Sequence, residues 1–301
     1  MVLHRFYTEQ INQFPTKTER INAFPTDWWR SEIAGTIGVL MPIKLKELPL
    51  IYSGKTKDVY LYDETSILLH TKDSVTGWKI KNNDGTYSVV IDPGANEVIG
   101  EVSGIGKKNI ISSIYYFNKF TEANIHHHFL DADINESTMR VKKANKLGAG
   151  LECIVRFYAL GSILRTYPDY VKYKQPLTDY FEITTKNDEA GDPRISKEFL
   201  TNPDFGPIIT EVQYENARQL SLNAAKLIRD DLSQKGYTLI DIKFEIGVFE
   251  NQIIIIDEIS AGIMRVFKDE TQLSETELAD LLVDFYNRIG DLRSPHFIRN
   301  G

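Results

Sequence analysis

The sequence predicts an α+β fold of two lobes, with antiparallel sheets covered by packing helices. Three observations predict it. First, Ile240 to Ile246 alternates strictly, with Ile240, Ile242, Phe244 and Ile246 on one face and Asp241, Lys243 and Glu245 on the other, and the apolar run Gln252 to Ser260 follows it. With Glu250 and Asn251 as the turn, this reads as an antiparallel hairpin. Second, Glu211 to Lys235 and Thr276 to Leu292 carry apolar residues at helical spacing, Val212, Ala217, Leu220, Ala224, Leu227 and Leu232 in one and Leu278, Leu281, Leu282, Phe285 and Ile289 in the other. Third, the glycine-bearing linker Asn145 to Gly150 separates a β-rich half from a mixed half. The expected organisation is an N-terminal extension, 1–50, a β-rich lobe, 51–146, and an α+β lobe, 147–301.

The extension is mixed and aromatic. It repeats a short Asn-x-Phe-Pro-Thr pattern around Phe14-Pro15 and Phe24-Pro25, and Trp28, Trp29 and Ile33 read as a packed arm. From Ile51, two short strands flank Tyr60 to Thr65, preceded by Gly54, Lys55 and Lys57. Glycine permits close backbone approach and the lysines add positive charge, a combination that suits phosphate oxygens as well as an ordinary turn. The spacing is not that of a Walker A loop. Residues 75–100 are rich in turn formers around another hairpin, and Ser103 to Phe120 starts at glycines and continues as a helix whose N-terminus can attract an anion. His126, His127 and His128 are consecutive, a poor geometry for one metal.

The segment Leu151 to Tyr158 alternates Glu152, Ile154 and Arg156 against Cys153, Val155 and Phe157, and Gly161-Ser162 follows. An arginine at a strand end beside a hydroxyl and a glycine is suited to a phosphate. A strand to Thr185 leads to a polar loop, Lys186 to Pro193. On the central hairpin, neighbouring charges of one face lie about 7 Å apart. A solvated face laced with ion pairs is the plain reading. Ile253 to Ile256, however, is apolar on both faces, so the hairpin is expected inside the sheet. Acids at its end, Asp257 and Glu258, then need a partner, and Mg²⁺ with a polyphosphate is a suitable one.

The 301 residues carry a net charge of −7, which argues against nucleic acid as the main partner and requires any small anionic substrate to meet a local cluster of cations. Cys153 is the sole cysteine, which excludes an intramolecular disulfide and a cysteine-based zinc site. No signal-like or membrane-length apolar run occurs, so a soluble, cytoplasmic protein is expected, with homo-oligomerisation left open.

From Ile51 to Leu292 the chain resembles the phosphoribosylaminoimidazole-succinocarboxamide (SAICAR) synthetase family of purine biosynthesis. The blocks that carry the resemblance are Tyr52 to Tyr60 (YSGKTKDVY), Gly104 to Asn109 (GIGKKN), Glu152 to Ser162 (ECIVRFYALGS), Lys186 to Pro193 (KNDEAGDP), and the pair Asp241 to Gly247 and Asp257 to Arg265. The resemblance implies an ATP-grasp- or kinase-like two-lobed fold and an ATP-dependent ligase that activates an aminoimidazole ribotide carboxylate as an acyl phosphate for attack by L-aspartate. It further implies ATP phosphates at Gly54, Lys55 and Lys57, with the adenine near Val141 to Glu152, and Mg²⁺ at Glu245 and Asp257. Lys243 would neutralise the transferred phosphoryl group. Arg156, Ser162 and Arg265 would hold the ribotide phosphate, Asp241 would face the ribose, and Lys186 and Asp192 would line the substrate side.

Three positions depart from the family text. Ala261 and Gly262 stand where Pro-Asp is usual, Ile105-Gly106 where Lys-Gly is usual, and Thr166 where an arginine is usual, with Arg165 one place early. A carboxylate and a cation are thus missing, and a second cation stands one place early. The alternatives are a ligase of the same chemistry acting on another acid or amine, and a nucleotide-binding paralogue without catalysis.

Overall fold

The computed structural model describes residues 45–293 except 83, 92–96, 188–189 and 207. The Asn-x-Phe-Pro-Thr pattern and the tryptophans of the extension lie outside the described residues. Chain contacts divide the protein into Met1–Glu47 and Leu48–Gly301. The second unit holds every sheet and helix that bears on the site.

In chain order, β1 (Leu50–Ser53), β2 (Lys57–Leu61) and β3 (Ser66–Thr71) form successive antiparallel hairpins. β4 (Ser74–Lys81), β5 (Tyr87–Ile91) and β6 (Glu97–Glu101) make a separate three-stranded sheet with β4 in the middle. Helix α1 (Ile105–Glu122) follows, then β7 (Phe129–Asp133) and β8 (Thr138–Lys142), which complete the first sheet in the order β1-β2-β3-β8-β7. The second half begins with β9 (Asn145–Lys146), β10 (Leu151–Tyr158), the short helix α2 (Ser162–Thr166), β11 (Pro176–Thr185), β12 (Arg194–Ile195) and the short helix α3 (Lys197–Leu200). After these come helix α4 (Glu211–Ser233), β13 (Thr238–Phe249), β14 (Gln252–Ile256), β15 (Met264–Lys268), β16 (Thr271–Gln272) and helix α5 (Glu275–Arg293). The larger sheet runs β12-β11-β10-β13-β15-β16, with β14 and β9 also on β13.

The local reasons are legible. Helix α4 starts at a capping box, in which Thr210 Oγ1 accepts from the Gln213 N–H and the Gln213 side chain accepts from the Thr210 N–H. Its buried stripe, Ala217, Ala224, Ala225, Ile228 and Leu232, is rich in alanine, which lets the helix lie close over β10, β13 and β14. The β13–β14 hairpin turns at Glu250 (φ 50°) and Asn251 (φ 64°), both left-handed, as a two-residue turn with matching twist requires. Helix α1 carries Tyr116, Phe117 and Phe120 fully inside the core. Each such side chain stabilises the fold by about 1.5–3 kcal/mol relative to exposure.

β13 is the organising strand. β10 pairs with Glu245 back to Asp241 on one side, while β15 and then β14 pair on the other. Ile256 lies opposite Glu245 and Met264 opposite Ile242. The seven residues between them therefore leave the sheet and re-enter it across from Lys243 and Phe244. A loop over the middle of the charged row is the result.

Candidate active site

Burial corrects the half-buried reading of β13: Asp241 is 4% exposed, although it belongs to the polar row. Register supplies the reason. Arg156 of β10 and Arg265 of β15 are its direct neighbours on either side, forming an Arg–Asp–Arg row across three strands. Arg156 Nη1 donates to Asp241 Oδ2 at 2.7 Å and Arg265 Nη1 to the same oxygen at 3.0 Å. Arg156 also donates to Glu182 (Nε, 3.0 Å; Nη2, 2.7 Å), to the Leu160 carbonyl (3.1 Å) and to Ser162 Oγ (3.0 Å). All its N–H groups face protein acceptors and it is 2% exposed. Arg194 pairs with the far side of Glu182.

Arg156, expected at the ribotide phosphate, is here a buried brace, and Asp241, expected at the ribose, orients two guanidiniums. Arg265 remains at the rim, and Gly161 lies against it. A Cβ on Gly161 would come 3.0 Å from Arg265 Nη1, and its φ of +70° also requires glycine.

At the other end of the row the acids meet lysines. Glu152 and Glu245 stand directly opposite each other on β10 and β13, a repulsive pair unless neutralised. Lys243 donates to Glu152 at 2.9 Å, Lys186 pairs with Glu245, and Lys146 lies 3.8 Å from Glu245. Lys57, from β2, bridges Asp257 and Glu258. Burial works against ionisation of Asp257, but the charges of Lys57 and Lys186 outweigh it and hold the carboxyl well below the usual range. Burial likewise opposes the charge on Lys186, and Glu245 and Asp257 outweigh it and raise its pKa. Lys186 thus sits in the joint field of two carboxylates. Among the described residues no cluster of three or more His, Cys, Asp and Glu can hold a metal unaided. Two acids that need further oxygens are the donor set of a phosphate-bridged Mg²⁺, so Glu245 and Asp257 fit that ion.

Glu152, expected beside the nucleotide, is held by neighbouring side chains. It is 4% exposed and accepts from Lys243 and, at 3.3 Å, from Thr184 Oγ1, because β10 is covered on both faces. Gly54 closes the turn before β2, with its N–H donating to the Lys57 carbonyl at 2.8 Å, and Lys55 lies exposed in that turn. Asp192 accepts from the Asn187 N–H at 2.7 Å and so closes the loop that follows Lys186. The N-terminus of α1 already has its anion, the Asp73 carboxylate, which accepts from Gly104 and Gly106 at 2.9 and 3.0 Å. His128 is buried, its ring 2.9 Å from the Asp257 carbonyl, and burial pushes its pKa down to about 3.

Sequence reasoning missed Glu182, whose alternation within β11 was the available signal. It noted Glu258 without giving it a role. Beside Gly262, where no carboxylate is attached, Glu275 of α5 brings one: a Cβ on Gly262 would meet Glu275 Oε1 at 3.2 Å.

Residues 95–282 match the family model described as SAICAR synthetase. The phosphoribosylaminoimidazole-succinocarboxamide synthase of Clostridium tetani is 38% identical over 237 residues, covering 78% of this chain and 99% of that protein. The synthase of the same name from Caldivirga maquilingensis is 28% identical over 260 residues, covering 83% and 97%. A solved SAICAR synthetase (Type-2) in complex with ADP gives a TM-score of 0.61 at 25% identity, covering 82% of this chain and 99% of that one. The crystal structure of the Ehrlichia chaffeensis synthase gives 0.62 at 22% identity, covering 82% and 100%, a likeness of fold.

Proposed function

This chain belongs to the SAICAR synthetase family, and we propose that it joins the carboxylate of an aminoimidazole ribotide to L-aspartate through an acyl phosphate, giving SAICAR, ADP and phosphate. It is an ATP-dependent carboxylate–amine ligase of purine biosynthesis. A carboxylate resists an amine because its charge repels the nucleophile and oxide does not leave. Phosphorylation removes both obstacles. The protein's share of the work is positioning and charge neutralisation.

In this reading the nucleotide phosphates lie against Lys55 and Lys57 beside the Gly54 turn, on the lobe 51–146, with the adenine near residues 141–152. Glu245 and Asp257 would hold Mg²⁺, which when bound neutralises charge on the phosphates. Lys243, steadied by Glu152, faces the transferred phosphoryl group, and Lys186, on the loop closed by Asp192, lines the substrate side. Arg265 and Ser162 take the ribotide phosphate, while Arg156, Asp241 and Glu182 fix their direction.

One observation carries the reading: β13 bears Asp241, Lys243 and Glu245 in a single row, with arginines at one end and lysine-bound acids at the other. The row spans about 13 Å. That leaves room for a ribotide whose phosphate rests at the Arg265 end and whose carboxylate reaches Lys243. Among the described residues no helix is long and apolar enough to cross a membrane.

The test is ADP release with carboxyaminoimidazole ribotide, MgATP and each common amino acid. Turnover with aspartate is expected. Silence with aspartate and turnover with another amine would reject the substrate assignment, and ATP binding without turnover on any amine would reject the ligase reading.

A further inference from the structure

Of the three consecutive histidines, His128 alone is buried, at 3% exposure. Residues 126–128 run beside β14 as a short parallel pairing. The Ile255 N–H donates to the His126 carbonyl and the His128 N–H to the Ile255 carbonyl, both at 3.0 Å. On its other side the His128 carbonyl accepts from the Lys142 N–H of β8 at 2.8 Å. Main-chain bonds to β14 and β8, with Phe117 packed 5.6 Å from the ring, fix the His128 side chain in place. Its Nε2 stands 2.9 Å from the Asp257 carbonyl. A carbonyl only accepts, so Nε2 carries the proton and donates it. The neighbouring rings have other tasks or none: His127 contacts Thr121 Oγ1 at 2.8 Å, and His126 is exposed.

The residue that receives this bond has an unusual backbone. Asp257 is the first residue beyond β14, and its φ of +69° is left-handed. Aspartate tolerates that region better than most residues with a side chain, but the region is sparsely populated, and a residue kept there at a candidate site needs its surroundings to hold it. The β13–β14 ladder ends at Ile256, opposite Glu245. The imidazole thus supplies the Asp257 carbonyl with the donor that the ladder no longer does.

The carboxylate of the same residue pairs with Lys57 of β2. Asp257 is therefore held at two points, the carboxylate by a cation that a polyphosphate can draw away and the carbonyl by a buried ring. Two residues on, the Ile259 N–H donates to Ser113 Oγ at 3.1 Å, so the loop is pinned on both sides of Glu258. Once a nucleotide takes Lys57, the ring is the hold that remains on Asp257.

We propose that His128 is a positioning residue for the metal site: its Nε2–H, bound to the Asp257 carbonyl, holds that residue in the left-handed conformation and keeps its carboxylate aimed at the cation. This rests on the reading of Asp257 as a Mg²⁺ ligand. His128 acts through Asp257 and needs no contact with metal or nucleotide.

The test compares, in the full chain, His128→Gln, whose amide nitrogen reaches about as far as Nε2, with His128→Met, which fills similar space without a donor. Aspartate-selective NMR labelling reports the Asp257 backbone through its Cα and Cβ shifts, assigned by their absence from Asp257→Asn. Left-handed shifts are expected in wild type and His128→Gln and should be lost in His128→Met. Mg²⁺ titrated calorimetrically into the chain holding ADP should bind His128→Met about tenfold more weakly, the worth of one buried hydrogen bond, and His128→Gln within about twofold of wild type. ADP without Mg²⁺ should bind all three alike. In an Asp257→Asn background His128→Met should cost no further Mg²⁺ affinity, an outcome that a general loss of packing would not give.

A His128→Met chain that keeps the left-handed shifts, binds Mg²⁺ like wild type, or loses equal affinity in both backgrounds overturns the proposal. Should that chain not fold, His128→Asn, whose nitrogen stops short of the carbonyl, replaces it with the same expected outcomes. If wild type takes up no Mg²⁺ beside ADP, the metal assignment of Asp257 fails. The shifts then decide alone whether His128 sets its backbone: their loss in the variant supports that role and their retention overturns it.

Discussion

Arg265→Ala isolates the end of the site where the ribotide phosphate is proposed to rest. The guanidinium is held by Asp241 at 3.0 Å and lies against Gly161, so it is aimed before any ligand arrives. A hydrogen bond from a charged donor contributes about 1.5–3 kcal/mol, and a guanidinium offers a phosphate two of them. Removing both should therefore cost about 3–5 kcal/mol, on the order of a hundred- to several-thousand-fold in ribotide affinity. The fold should tolerate the change. Asp241 keeps Arg156 at 2.7 Å, so no buried charge is orphaned, and the loss of stability should be about 1–2 kcal/mol. Calorimetric titration with ribotide and, separately, with MgATP is the assay, beside a denaturant melt. Gly161→Ala should reproduce the phenotype, because its Cβ would strike the same guanidinium and its φ is left-handed. Equal loss of ribotide and ATP binding in Arg265→Ala would refute the phosphate assignment.

Two further perturbations probe the rest of the site. Asp257→Asn should leave the melt nearly unchanged, because Lys57 retains Glu258 and Lys186 retains Glu245, yet should lower kcat by about a hundredfold; near-wild-type turnover would remove the metal role. Glu275 should also make stability depend on pH. Its folded-state pKa, about 7, lies above its ordinary 4.5, so its contribution is fully present below pH 4.5 and is lost as pH rises through 7. Glu275→Gln should accordingly become more stable than wild type by up to about 3 kcal/mol at pH 8.5 and match it closely near pH 4, measured by denaturant midpoints. A difference that does not change with pH would show that the carboxyl is not buried in its charged form.

The hairpin and the helices were legible because their signals are local. Alternation from Ile240 to Ile246, the Glu250-Asn251 turn and the spacing in α4 each occupy one short window. The arrangement of the site was legible only as an inventory of residue types. Arg156 and Asp241 are 85 positions apart, and their meeting depends on the register of β10 on β13, which no local pattern encodes. The same is true of the covered face of β10. Read alone, Glu152 and Arg156 look available to ligands, whereas Lys243, Thr184 and Glu182 turn both inward. Glu275 gave no sequence signal, since an acid in the first turn of a helix is ordinary and only its burial distinguishes it.

The charge pattern at the lysine end bears on how the proposed ligands enter. Lys57 with Asp257 and Glu258 forms part-buried ion pairs, where removing one partner leaves a charge that costs up to about 3–5 kcal/mol, and Lys186 with Glu245 forms a more exposed pair that solvent screens. A polyphosphate drawing the lysines away would strand the acids. A divalent cation settling on the acids would strand the lysines. The two ligands entering together exchange each internal pair for an external one, lysine with phosphate and carboxylate with metal, so no charge is left alone. Self-neutralised pairs on β13 and its neighbours therefore favour the metal–nucleotide complex over either component, and they keep the ligand-free chain stable with acids and lysines already gathered in one place.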